Sequence, residues 1–257
     1  MLGGAAVQLT DRFVFVPSKY PEGNWTLPQS LPAPVVDVHF SAADGTALHA
    51  WYSCPKAARA TILVLHGNGG NLTHRVHLLA ALLGLPAAVL LLDYRGYGRS
   101  AGQPSEAGVY EDAQAALAWL AERGTTAGRV ILYGESLGGA VAIETARRTQ
   151  VAGLIVQSSF TSMPDMARRI TGLPLGFLLR SRMNSLGKVG SLAVPKLFFH
   201  GEADELVPVA MGRQLYEAAA EPKRLVTYPG VGHNDWPGGY GRQWLSEIST
   251  FLGEALP

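Results

Sequence analysis

A chain of 257 residues, 47% of them hydrophobic and 16% charged, can bury a sizeable core, and this composition points away from disorder, collagen and coiled coils. Its 21 basic and 20 acidic residues leave a formal net charge of +1, so no overall field marks a nucleic-acid or anionic-membrane binder. One cysteine, Cys54, rules out an internal disulfide framework and makes a reducing cytosol the expected setting.

The start, Met1 to Val7, lacks the basic region and long apolar core of a signal peptide, and no run of about 18 apolar residues follows it, so neither a leader nor a membrane span is expected. No Ser/Gly/Pro-rich linker or charge block divides the chain, which predicts a single domain over residues 1–257. Val35 to Phe40 and Ala47 to Cys54 flank Asp44-Gly45 and predict an antiparallel hairpin. Ala60 to Leu65 is nearly all apolar, as a strand covered on both faces must be, and it ends in His66-Gly67-Asn68-Gly69-Gly70. A predicted helix over Leu72 to Leu83 leads to a second buried strand, Ala87 to Asp93, closed by the glycine-rich loop Tyr94 to Ser100. Ser105 opens a helix reaching Glu122, in which Val109, Ala113, Ala116, Leu117 and Leu120 recur at helical spacing.

Next come a strand over Arg129 to Tyr133, a sharp turn over Gly134 to Gly138, a helix over Gly139 to Arg148 and a strand over Val151 to Val156. From about 160 to 194 apolar residues are broken irregularly by glycine and proline, which predicts a lid or short helical cap. Lys196 to Phe199 and Leu225 to Tyr228 are the last predicted strands. This alternation predicts an α/β fold: a mostly parallel central sheet with an antiparallel N-terminal hairpin, helices on both faces and a small lid insertion.

Gly134-Glu135-Ser136-Leu137-Gly138 fits G-x-S-x-G between a strand and a helix, the setting in which this short pattern is informative. Glycine on either side lets strand and helix approach while the hydroxyl projects from a strained turn. Taken alone, the segment also fits a structural turn with an incidental serine. A serine nucleophile needs a base, and the base needs an orienting carboxylate, both from loops after later strands. Only His200 and His233 follow Ser136; His200 ends a buried strand, so His233, in a glycine-rich loop after the last strand, is the expected base. Asp204, shortly after the strand Lys196 to Phe199, is the expected acid in preference to Glu205 or Asp235. The backbone amides of Asn68 and Leu137 are the expected oxyanion donors, one from a glycine-rich loop and one from a helix N-terminus. His66 is expected to brace that loop, and Asp93 and Arg95 to hold the Tyr94 to Ser100 loop by hydrogen bonds. Phe160, Phe177 and Leu178, in the apolar insertion, are the expected lining of an acyl or small aromatic pocket.

His66-Gly67-Asn68-Gly69, Asp93-Tyr94-Arg95-Gly96-Tyr97-Gly98, Gly134-Glu135-Ser136-Leu137-Gly138-Gly139, His200-Gly201 through Asp204-Glu205 to Val207-Pro208, and His233-Asn234-Asp235 together resemble the α/β-hydrolase superfamily from about Val35 onward. Pro104-Ser105-Glu106 and the His-Asn-Asp triplet are similar to its branch of membrane-anchored serine hydrolases, protein depalmitoylases and related bacterial esterases. The resemblance implies the α/β-hydrolase fold and hydrolysis of a small-molecule carboxylester or thioester with no metal or cofactor. It departs at the N-terminus, where the sequence has no anchor or cysteine-rich segment. Peptidase or acyltransferase chemistry would use the same triad. A non-catalytic binding protein on this fold would usually have lost one of the three residues, and all three are present.

Overall fold

The computed structural model describes residues 14–236 and 238–256. Eight strands form its central sheet: β1 (Val36–Ser41), β2 (Ala47–Ser53), β3 (Ala60–Leu65), β4 (Ala87–Asp93), β5 (Val130–Glu135), β6 (Gly153–Gln157), β7 (Lys196–Gly201) and β8 (Lys223–Tyr228). Their spatial order is β8-β7-β6-β5-β3-β4-β2-β1. β1 and β2 pair antiparallel across the Asp44-Gly45 turn, β2 pairs antiparallel with β4, and every other pair is parallel. This is the α/β-hydrolase arrangement that the sequence patterning and the motifs imply.

Each parallel strand is a short apolar run because both of its faces are covered. On one face Leu63, Leu65, Leu90 and Leu92 pack with helices α2 (Glu106–Glu122) and α3 (Leu137–Arg148). On the other, Ile62, Val64, Val89 and Leu91 pack with α1 (Val76–Leu82) and α7 (Gly241–Ala255). Alternation along the strands sorts these side chains, and each fully buried one contributes about 1.5–3 kcal/mol relative to exposure.

Topology then fixes where a site can form. The chain crosses from β3 to β4 on one side and returns to β5 on the other, so the connections diverge at β3. A crevice opens at such a switch point, outside the C-terminal ends of the strands. The loops after β3 and β5 meet there.

Two predicted elements differ in detail. The helix expected over Leu72 to Leu83 begins as a tight turn, Leu72–Arg75, because Asn71 caps the Thr73 N–H and binds the His74 ring before α1 starts. Helix α3 starts at Leu137, two residues earlier than its glycines indicate, directly from the Ser136 turn. Residues 160–194 carry α4 (Met163–Thr171), a tight turn over Leu175–Leu178 and α5 (Leu186–Val189), a short helical insertion between β6 and β7. Helix α6 (Val209–Ala218) follows β7.

A segment with no sequence signal also reaches the site. Val16 and Pro17 pair in parallel with Gly69 and Gly70, and Ser18 bonds both Gly70 and Gly98. This strap therefore lies between the loops after β3 and β4. Among the described residues no helix is long and apolar enough to cross a membrane. The expectation of no leader at Met1 to Val7 lies outside the described residues.

Candidate active site

Ser136 sits between β5 and α3 with φ 53° and ψ −114°, a conformation that costs a non-glycine residue about 1–3 kcal/mol. Its surroundings hold it there. Its N–H donates to the Gln157 carbonyl (2.8 Å), and its own carbonyl accepts from Gly139 N–H (2.9 Å) and the Ser159 hydroxyl (2.8 Å). A methyl group at Gly138 would overlap the Leu65 carbonyl at the end of β3, and one at Gly134 would overlap the Gly138 carbonyl. Only glycine permits this approach of strand and helix.

The structure brings together the three residues singled out downstream. His233 Nε2 lies 3.1 Å from Ser136 Oγ, and its Nδ1 lies 2.7 Å from Asp204 Oδ2. The other Asp204 oxygen accepts from Leu206 N–H (3.0 Å) and Val207 N–H (2.7 Å), which fixes the carboxylate plane. Burial alone would raise the Asp204 carboxyl, yet hydrogen bonds from His200 and His233, the His233 charge and the Val207 amide hold it well below the ordinary carboxylate range. An ionised Asp204 at Nδ1 leaves Nε2 as the nitrogen that can take a proton from Ser136.

The rejected candidates have supporting places. His200 Nε2 lies 2.8 Å from the Val207 carbonyl and 3.5 Å from Asp204, bracing the acid loop. Asp235 accepts from Gly232 N–H (2.7 Å) and so shapes the histidine loop, while Glu205 accepts from His233 N–H (3.4 Å).

Leu137 is the first residue of α3, so its N–H has no intrahelical acceptor and is free for an oxyanion beside Ser136. The Asn68 side chain is committed elsewhere: it accepts from Val16 N–H and Tyr97 OH, and donates to the Val14 carbonyl. With that side chain turned to the strap, the main-chain N–H of Asn68 is the candidate oxyanion donor. Tying this loop to the Ser136 turn is Arg75, which sequence reasoning missed. It donates to the Gly69 carbonyl (2.9 Å) and, through Nε and Nη2, to both oxygens of Glu135 at 3.3 and 3.2 Å. Glu135 precedes the nucleophile and Gly69 follows Asn68, so one guanidinium spans both halves of the candidate oxyanion site. The fork geometry suits arginine alone.

Beneath this layer Asp93 is fully buried, accepts from Leu72 N–H (2.8 Å) and faces His66 (3.4 Å) and His49 (3.8 Å). Burial pushes its carboxyl up, but the adjacent His49 and His66 rings and the Leu72 amide bring it below its ordinary value. Arg95 bonds Asp112 and Asp44, anchoring its loop to α2 and the hairpin turn. Phe160 is 3% exposed, in the core, whereas Phe177 (73%) and Leu178 (56%) stand exposed on the insertion's short turn. Among the described residues no group of three or more His, Cys, Asp or Glu could hold a metal ion.

Residues 56–187 match the Hydrolase_4 family, described as serine aminopeptidase, S33. The chain belongs to this family of α/β-hydrolases. It is 41% identical over 222 residues to Rv2307c of Mycobacterium tuberculosis, covering 85% of this chain and 79% of that protein. The α/β-hydrolase domain-containing protein WAV2 of Arabidopsis thaliana is 34% identical over 247 residues, covering 86% and 79%. Among solved structures, the Pyrococcus furiosus esterase Pf2001 superposes with a TM-score of 0.80 at 22% identity, covering 95% of this chain and 98% of that one. Est1E from Butyrivibrio proteoclasticus, solved with ferulic acid bound, gives 0.72 at 22% identity, covering 85% and 98%.

The Arg75 bridge generates one expectation. With a p-nitrophenyl ester, Arg75→Met should lower kcat by about tenfold or more with KM little changed, since oxyanion contacts act in the transition state. Arg75→Met combined with Glu135→Gln should cost less than the two single losses multiplied together. Independent multiplication would show that the pair does not act as a unit.

Asp204 generates another. A carboxyl lowered on folding adds stability that is complete above its unfolded value of about 3.9 and is lost as pH falls through the folded value. Thermal unfolding should show wild type losing stability relative to Asp204→Asn below about pH 4. A difference that stays constant from neutral to strongly acid pH would contradict the lowered carboxyl.

Proposed function

We propose that the chain hydrolyses carboxylic esters or thioesters through Ser136, His233 and Asp204 by way of an acyl-enzyme. The observation that carries this reading is the unbroken hydrogen-bonded path from Asp204 through His233 to Ser136 Oγ, with the head of α3 beside it. In the first half-reaction His233 Nε2 takes the serine proton as Oγ attacks the acyl carbonyl. The oxyanion is held by the Leu137 and Asn68 amides, in a site whose donors are already oriented. His233 then returns the proton to the departing alcohol or thiol. Water, deprotonated by the same nitrogen, releases the acid and restores Ser136.

Esters are preferred to amides here because nothing beyond the triad and oxyanion donors is required for a good leaving group. The structural likeness to esterases supports the same choice. The substrate is a small acyl compound.

A fluorophosphonate probe should label the wild-type chain and leave Ser136→Ala unlabelled. On p-nitrophenyl butyrate, Ser136→Ala and His233→Ala should lose several orders of magnitude in kcat, and Asp204→Asn about 10⁴-fold with the fold intact. Retained activity in Ser136→Ala would end the proposal. Faster turnover of aminoacyl amides than of matched esters would redirect it to peptide chemistry.

A further inference from the structure

A cavity of about 260 Å³ opens at His233, the triad member that lines it, with Arg75, Glu135, Gln157, Asn234 and Trp236 also in its wall. Its place matters because the proton taken from Ser136 is returned from His233 Nε2 to the leaving group. The departing alcohol must lie within hydrogen-bond reach of that nitrogen, and the cavity begins at His233. Two further wall residues adjoin the nucleophile: Glu135 precedes it in sequence, and Gln157 accepts its N–H.

The chemistry of the wall is polar in an apolar setting. Gln157 ends a strand that otherwise reads Gly-Leu-Ile-Val and is 2% exposed, a costly position for an amide without partners. Its Oε1 accepts from the Tyr133 hydroxyl, which turns Nε2 into the free end. Among the described residues Nε2 has no partner. Opposite in character is Glu135, whose two oxygens each take one bond from Arg75, leaving lone pairs over. The Arg75–Glu135 pair is neutral overall, so the cavity combines a free donor and spare acceptors without net charge from that pair. The Trp236 indole adds a flat ring, whose buried Nε1 has no partner among the described residues.

We propose that this cavity is the leaving-group subsite and that it selects hydroxylated alcohols over alkyl alcohols, with the Gln157 amide donating to one hydroxyl oxygen and the Glu135 carboxylate accepting from a hydroxyl. An alkyl group would leave the Gln157 Nε2 donor without a partner. The volume falls below that of drug-sized pockets and suits a small polyol. This proposal rests on the esterase reading above and extends it to the alcohol half of the substrate.

The test compares propyl butyrate with 2,3-dihydroxypropyl butyrate, which differ only in the alcohol. Wild type should favour the diol ester in kcat/KM by at least about tenfold, the effect of one or two well-made hydrogen bonds. In Gln157→Leu the ratio of the two should fall to near one. A second measurement needs no variant: during hydrolysis of p-nitrophenyl butyrate, added glycerol should divert more acyl-enzyme to its ester than equimolar propanol does. The alcohol O–H then attacks the acyl carbonyl, its proton passes to His233, and Ser136 Oγ leaves and regains that proton. A wild-type ratio near one, a ratio unchanged in Gln157→Leu, or equal diversion by propanol would overturn the subsite while Ser136-dependent turnover of the p-nitrophenyl ester kept the esterase reading intact. Absence of any Ser136-dependent hydrolysis would overturn both.

Discussion

The Ser136 backbone, at φ 53° and ψ −114°, is held where a serine would not rest in a free peptide, and most of the molecule's local structure serves to hold it. The turn lets β5 end and α3 begin with Ser136 alone between them, so the hydroxyl stands at the head of a helix whose first N–H, that of Leu137, has no intrahelical acceptor. The strain of about 1–3 kcal/mol is local, whereas the four interactions that oppose its release come from three separate segments. They are the Leu65 carbonyl against Gly138, the Gln157 carbonyl on Ser136 N–H, the Ser159 hydroxyl on the Ser136 carbonyl, and the Arg75 bridge on Glu135. Releasing the turn would disturb all four.

The neighbouring loops meet the same demand in different ways. The loop carrying Asn68 is pinned on one side by the strap at Val16 and Pro17 and on the other by Arg75, with Asp93 beneath it bonding Leu72. The acid loop closes on its own amides, and the lowered Asp204 carboxyl reflects donors that favour its charge over the cost of burial. Each loop follows a parallel strand and emerges at the same edge of the sheet, which is why residues from distant parts of the chain converge without long connections. Fold and site thus answer to one constraint: a rigid sheet edge on which three loops are separately braced.

Much of this was legible in the sequence, for physical reasons that can be named. Strands covered on both faces must be apolar throughout, so β3, β4 and β7 stand out as runs, and the α/β-hydrolase fold follows from their alternation with helices. Ser136, Asp204 and His233 were legible because their order along the chain and their place after strands are fixed by the fold. The Arg75–Glu135 bridge was not, because its partners lie 60 residues apart and neither shows any local periodicity. Nor was the strap, since a two-residue strand at Val16–Pro17 is too short to carry a pattern. Gln157 was missed because an apolar run was read as ending at Val156, although the strand continues one residue further and places the glutamine at the site. The start of α3 is misplaced for a related reason: Gly138 reads as the end of the turn, while its real task is to admit the β3 backbone against the helix, as Gly139 admits Ser159.

The most direct measurement is a crystal structure of the chain inactivated by a phosphonate ester, whose phosphonyl oxygen occupies the position of the oxyanion. Phosphorus should be bonded to Ser136 Oγ, with that oxygen about 2.7–3.1 Å from both the Leu137 and the Asn68 main-chain nitrogens. Phosphorus on another residue, or an oxygen turned away from both amides, would contradict the account of a strained serine held at the head of α3 for attack on a carbonyl.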